Sequence, residues 1–327
     1  MELQYLYSAS AEQLEKTKAF LASSGLDYDE SCSFTVNVLD EGEIIATGSL
    51  DGNVLKCIAV SSLRQGEGLS ATIVTELRKV SFDNGESHLF IFTKPNNIDM
   101  FEGLSFYPVA KTQDALLMES IRGGCSAFVS ALPKKQGVCG AIVANCNPFT
   151  LGHRYLVEQA AKECDWLYLF ILSEDKSRFS AHTRFELAKK GVADLENVIV
   201  CPTGKYLISA ATFPTYFIKD KTHAEDIKCD MDIEVFTSRF AKALNITKRF
   251  VGTEPNSPVT NAYNERLKLI LPRYGIKLIE IERKAQDLEP ISASRVRKLI
   301  TQGKRNELIP LLPQSTMEYI DKAFFEK

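Results

Sequence analysis

Long apolar runs are missing from this 327-residue sequence, and so is an excess of charge of either sign. The apolar stretches are strand-sized, well short of the ~20 residues a helix needs to cross a bilayer. The start, MELQYLYSASAEQLEKTKAF, has no basic region followed by an apolar core and a small-residue cleavage site, so no leader is expected. Thirty-nine Lys and Arg against 42 Asp and Glu leave a formal charge of −3. That balance gives no support to a large basic surface for nucleic acid, although a local anion site is compatible with it. None of the eight cysteines forms a CxxC pair, and a chain this long does not depend on staples. Reduced, mostly buried thiols in a cytoplasmic protein are the expectation, without structural zinc. Internal repeats and low-complexity tracts are absent as well.

What is present is ordinary for a globular protein: 45% hydrophobic and 25% charged residues, which argues against a mainly disordered chain. The length exceeds what one core usually organises, and two domains are expected. Residues 1–130 read as a small α+β unit. A helical spacing over residues 11–23 is followed by strand alternation, with Phe34, Val36 and Val38 on one side and turns at Asp40–Gly42 and Asp51–Gly52. A helix from about Leu69 to Val80 and a strand at His88–Phe92 come next. Residues 131–327 change to strand alternating with helix, the signature of a parallel α/β sheet, starting from the continuous apolar run GVCGAIVAN. Trp166–Leu172, Val198–Cys201, Arg249–Val251 and Ile276–Ile281 are the further strand candidates.

The most informative segment follows that first parallel strand: ANCNPFTLGHRYLVEQAAKEC. A polar turn through Pro148 and Thr150 leads to Gly152 and His153 at a helix start, where free N–H groups and the helix dipole favour a phosphate. Gly152 permits close approach, Thr150 offers a hydroxyl, and His153 offers a ring N–H. On residues alone, a tight turn with a solvated histidine is an open alternative. Far down the chain, EPISASRVRKLI sets Ser292 as an N-cap, with Arg295 and Arg297 in the opening turns. Two arginines there oppose the dipole, so either an external anion or acidic neighbours such as Glu289 must answer them. Lys176 and Arg178, after the second parallel strand, are phosphate candidates or plain surface residues. Gly252, Thr253 and Glu254, after the fourth, are candidates for nucleotide contact, with capping by Thr253 or Ser257 as the rival. Tyr206, Thr212, Phe213 and Tyr216 line an acceptor side or pack a core.

Thr150, Leu151, Gly152 and His153 resemble the T/HxGH signature of the HIGH-type nucleotidyltransferase superfamily. Ile291, Ser292, Ala293, Ser294 and Arg297 resemble its ISxxxxR-type sequence. No Walker loop or dinucleotide fingerprint competes with this. Taken with NPFTLGHRYLVEQAA, RFVGTEPNSPVTNAYN and KYLISAATFPTYFIKD, the chain resembles the citrate lyase ligase family over nearly its whole length. The resemblance implies an acyl-CoA N-acyltransferase-like domain over 1–130, joined to a Rossmann-like parallel-sheet nucleotidyltransferase domain over 131–327. It implies an enzyme that uses ATP, Mg²⁺ and acetate to acetylate the thiol of a dephospho-CoA-derived arm on the acyl-carrier subunit of citrate lyase. Thr150, His153 and Arg297 are then catalytic. Asn147, Phe149, Gly152, Lys176, Arg178, Gly252, Thr253, Glu254, Ile291, Ser292 and Ser294 bind the nucleotide.

In the first domain, Gln65, Gly68 and Ser70 match the acyltransferases' Q/RxxGxG/A pyrophosphate loop, with Ser70 departing from the usual Gly or Ala. Gly66 and Gly68 allow backbone N–H groups to converge beside a helix start. Glu67 and Tyr107 are base candidates only through their place near segments that resemble the acyltransferase family. The expected role is to hold the CoA-like arm rather than to catalyse a separate acetylation. Two other functions fit the same residues. One is a nucleotidyltransferase acting on pantetheine phosphate or nicotinamide mononucleotide, and the other is a non-catalytic nucleotide- or CoA-binding protein.

Overall fold

A computed structural model of the chain describes residues 1–7, 11–175, 177–207, 213–218, 221–254, 258–286 and 289–326. Contacts group it into two units, Met1–Gly124 with Thr212–Glu234, and Cys125–Ala211 with Val235–Lys327. The second stretch of the first unit comes from the half of the sequence read as the parallel-sheet domain. Aromatic packing explains its place. Phe213 meets Phe92 at 5.1 Å, the Tyr216 hydroxyl donates to the Phe92 carbonyl at 2.8 Å, and the Tyr216 carbonyl accepts from the Asp27 N–H at 3.0 Å.

The first unit is a seven-stranded sheet. Its strands are β1 (Glu2–Leu6), β2 (Phe34–Asp40), β3 (Glu43–Asp51), β4 (Val54–Val60), β5 (Phe90–Thr93), β6 (Tyr107–Lys111) and β7 (Leu116–Glu119), in the order β1-β2-β3-β4-β5-β7-β6. Neighbours are antiparallel except β4 and β5. Phe34, Val36 and Val38 pack against Ile73, Val74 and Leu77 of the helix Leu69–Asp83, as their alternation predicts. On the opposite face the polar positions are satisfied rather than solvated. Asn37 donates to the Thr17 hydroxyl at 3.0 Å and accepts from Thr47 at 2.7 Å. β4 and β5 pair only at Val54–Phe90 and Leu55–Ile91, then part.

The second unit is built on a five-stranded sheet, all parallel. Its strands are β8 (Cys139–Ala144), β9 (Trp166–Ile171), β10 (Val198–Pro202), β11 (Ile246–Gly252) and β12 (Lys277–Ile281), in the order β10-β9-β8-β11-β12. The chain leaves β8 in one direction across the sheet and returns to its other side at β11. Strand ends at such a reversal diverge and leave a crevice. The helix Leu151–Ala161 buries Val157, Ala160 and Ala161, and joins a core with Ile142, Leu167, Leu169 and Phe250. The helices Ala293–Thr301 and Gln314–Ile320 close a second cluster with Phe179 and Ile291. Among the described residues, no helix is long and apolar enough to cross a membrane.

Candidate active site

At the end of β8 the chain turns where the strand order reverses. Cys146 takes φ of +50°, a left-handed conformation unusual for a non-glycine residue. The turn is held from within by Arg184, which is fully buried in the helix Ala181–Gly191. Its guanidinium donates to the carbonyls of Asn145 (2.9 Å), Leu172 (2.8 Å) and Phe179 (3.1 Å), to the Asn145 side chain (2.6 Å), and to the carbonyl of Glu174. Five hydrogen bonds from one rigid fork thus pin the loops after β8 and β9 together. The Asn147 side-chain oxygen adds a bond from the Phe179 N–H at 3.2 Å.

The helix Leu151–Ala161 then opens with a reciprocal cap. Thr150 Oγ1 accepts from the His153 N–H at 3.3 Å, and His153 Nδ1 accepts from the Thr150 N–H at 3.0 Å. A ring accepting at Nδ1 carries its one neutral-state proton on Nε2, which leaves Nε2–H as a donor. Burial, with a smaller push from the Arg283 charge, lowers the His153 pKa to about 4, so the ring is neutral at pH 7. Phe149, fully buried against Gly191, stacks on the ring at 5.7 Å.

Gly152 is where the early and late motifs meet. A Cβ built there lies 2.6 Å from the Ile291 carbonyl oxygen, so only glycine lets the two segments approach this closely. Ser292 caps the helix Ala293–Thr301, accepting from the Arg295 N–H at 3.2 Å. From that helix Arg297 reaches back to the turn, donating to the Asn147 carbonyl at 2.6 Å and to Ser294 Oγ at 2.9 Å. Arg178 donates to the Arg297 carbonyl at 3.1 Å and to the Thr301 hydroxyl at 2.7 Å. Burial first, then the Arg178 charge, lowers the Arg297 pKa. Arg178, Arg297, Lys298, Thr301 and Gln302 line an open cleft of about 450 Å³. The acidic neighbour foreseen for the arginines exists for Arg295, 3.4 Å from Glu289, while Arg178 and Arg297 have no carboxylate partner among the described residues.

The third motif joins from the neighbouring strand ends. The Thr253 N–H donates to the Ile281 carbonyl at 3.0 Å, and the Thr253 carbonyl accepts from Arg283 Nε at 2.6 Å. The Glu254 carboxylate pairs with the same guanidinium. The Gly252 carbonyl accepts from the buried Asn264 side chain at 3.1 Å. Lys176, Ser257 and Thr212 lie outside the described residues. No group of three or more His, Cys, Asp or Glu side chains able to hold a metal occurs among the described residues.

In the first unit the parting of β4 and β5 opens onto a cavity of about 1030 Å³. Gln65, Gly66, Gly68 and Ser70 all line it, as do Asn97 and Tyr216. Gly66 and Gly68 hold φ of +88° and +78°, and Gly68 is the N-cap of the helix Leu69–Asp83. Glu67 is not a lining residue, and its carboxylate is taken by Arg64 at 2.7 Å; Tyr107 is not one either.

The profile described as "Citrate lyase ligase C-terminal domain" matches residues 139–320. The [citrate [pro-3S]-lyase] ligase of Klebsiella pneumoniae is 42% identical over 314 residues, covering 94% of this chain and 92% of that protein. The chain belongs to the citrate lyase ligase family. The [citrate [pro-3S]-lyase] ligase of Escherichia coli K12 is 37% identical over 318 residues, covering 94% of this chain and 90% of that protein. A solved acyl-CoA N-acyltransferase from Pseudomonas aeruginosa aligns with 37% of this chain and 100% of its own at 10% identity, with a TM-score of 0.32, too low to establish a shared fold.

Two arginines of this family member escape the motif reading. Arg184 had a signal: it shares a helix face with buried Leu187, Ala188 and Gly191, an odd place for a charge. Arg283 had none beyond its position after a strand.

Proposed function

We propose that this citrate lyase ligase family member uses ATP and acetate to acetylate the thiol arm of the citrate lyase acyl-carrier subunit through acetyl adenylate, with release of pyrophosphate and AMP. The observation that carries the reading is the convergence on one turn: Arg297 bonded to Asn147, and Gly152 against Ile291. Residues 131–327 are read as a Rossmann-like, HIGH-type nucleotidyltransferase domain, and residues 1–130 as an acyltransferase-like domain completed by the aromatic stretch near Tyr216. A cytoplasmic location belongs to the same proposal.

In the first half-reaction an acetate oxygen attacks the α-phosphorus and pyrophosphate leaves. Acetate is ionised at neutral pH, since carboxylic acids have pKa values of about 4, and no protein base is needed. The protein aligns the attack and answers the phosphate charge. His153 offers a neutral Nε2–H donor, and Thr150 sets the ring. Arg297 and Arg178 supply positive charge, with Lys298 on the same cleft. Mg²⁺ would enter with the phosphates of ATP and neutralise part of their charge. The carrier thiol then attacks the mixed anhydride, giving thioester and AMP.

The first-unit cavity is read as the holder of the CoA-like arm: glycine backbone at a helix start for its phosphate, and neither base candidate on the wall. The test is to mix the protein with ATP, Mg²⁺, labelled acetate and deacetylated carrier. AMP and carrier-bound label should rise together. Turnover only with phosphopantetheine or nicotinamide mononucleotide favours the small-molecule transferase. ATP binding without pyrophosphate release for any acceptor favours a binding protein.

A further inference from the structure

Past Leu55 and Ile91, β4 and β5 no longer pair with each other. Parted edges leave backbone groups for a ligand, but the inner end of this parting is already filled. The carbonyl of Phe92, one residue beyond the last pair, accepts from the buried Tyr216 hydroxyl at 2.8 Å. The Phe213 ring meets the Phe92 ring edge-on at 5.1 Å, and the Phe217 ring meets that of Tyr216 at 5.3 Å. The Tyr216 carbonyl is held by the Asp27 N–H at 3.0 Å, and the Asp27 carbonyl accepts from the Cys57 thiol at 3.6 Å. An aromatic block is thus fixed to β5 through Phe92 and to β4 through Cys57. The cavity in front of it has a direction. Gly66 and Gly68 mark one end, Val60, Ala59 and Ile58 follow back along β4, and Tyr216 stands beside the last paired residues.

We propose that Tyr216 makes this cavity selective for a phosphate-bearing arm that ends in a free thiol, against the same arm carrying an acyl thioester. This rests on the reading of the cavity as the arm's holder and adds which form of the arm it takes. A phosphate at Gly66 and Gly68 directs an extended arm along β4 toward Tyr216. A thiol is small and largely apolar, and sulfur against an aromatic edge is favourable. A thioester adds a carbonyl oxygen, which needs a donor once buried. At the inner end the Tyr216 hydroxyl already donates to Phe92, and the Phe217 ring has no donor to give. The free arm is therefore kept, and the acetylated arm is let go after transfer.

Dephospho-CoA and its acetyl thioester, each titrated into the intact protein by calorimetry, test this. The free thiol is expected to bind at least about 10-fold more tightly. Tyr216→Phe keeps the aromatic wall and should keep that ratio. Tyr216→Ala admits water to the carbonyl and should bring the two affinities within about 2-fold of each other. Equal affinities in the wild type overturn the proposal without any variant, and so does an undiminished ratio in Tyr216→Ala. Binding of neither compound to the wild type removes the arm reading of the cavity itself, and this proposal with it.

Discussion

Around the turn after β8, arginines and carbonyl oxygens hold one another, with Arg184 beneath the loops and Arg297 across Asn147. Around Gly66–Ser70 the first unit instead offers left-handed glycines, a helix start and open space. Donors fixed at set points suit charge that moves during a reaction. A roomy cavity walled partly by backbone suits a long ligand with many weak contacts. The contrast teaches that two phosphate-seeking motifs in one chain need not do the same work.

The largest effect is expected where side chains hold the turn. Arg184→Met keeps the bulk but strands one buried and several part-buried oxygens, and should cost about 3 kcal/mol in urea unfolding. A loss under about 1 kcal/mol would mean water replaces the guanidinium easily and the turn is not held as described. Arg297→Ala comes next, with exchange falling by about 10²-fold or more at near-normal stability. Ser70→Asp separates the two regions. An acidic residue in the first helical turn favours the helix but repels a bound phosphate, so carrier-arm binding should weaken by about 10-fold while exchange is unchanged. Equal loss of both activities would merge the two sites.

A separate effect is expected in pH dependence. The unfolded His153 takes a proton near 6.5 and the folded one near about 4, so folding stability falls as pH drops through that window. His153→Ala should flatten this slope between about pH 7 and pH 5; an unaltered slope would place the acid sensitivity elsewhere.

Much of this was legible in the sequence because periodicity and turn residues act locally. The helix expected over residues 11–23 is Ala11–Ser23, and the apolar run GVCGAIVAN holds the central strand β8. Ser292 caps its helix as its position predicts. What could not be read depends on contacts between distant segments. Gly152 as a turn residue is visible in the sequence, but the Ile291 carbonyl that demands glycine is not. Glu254 stands out in the sequence as a polar residue after a strand, but nothing local announces its pairing with Arg283. Tyr216 read as acceptor-side lining or core; it is buried and bonded to Phe92, and it lines the first-unit cavity.

The most direct test is a crystal structure with a non-hydrolysable acetyl-adenylate analogue bound to the whole protein. Its α-phosphoryl oxygens should lie within hydrogen-bonding reach of His153 Nε2, with Arg297 facing the space pyrophosphate vacates. An analogue seated instead beside Gly66 and Gly68, with the turn after β8 empty, would contradict the account.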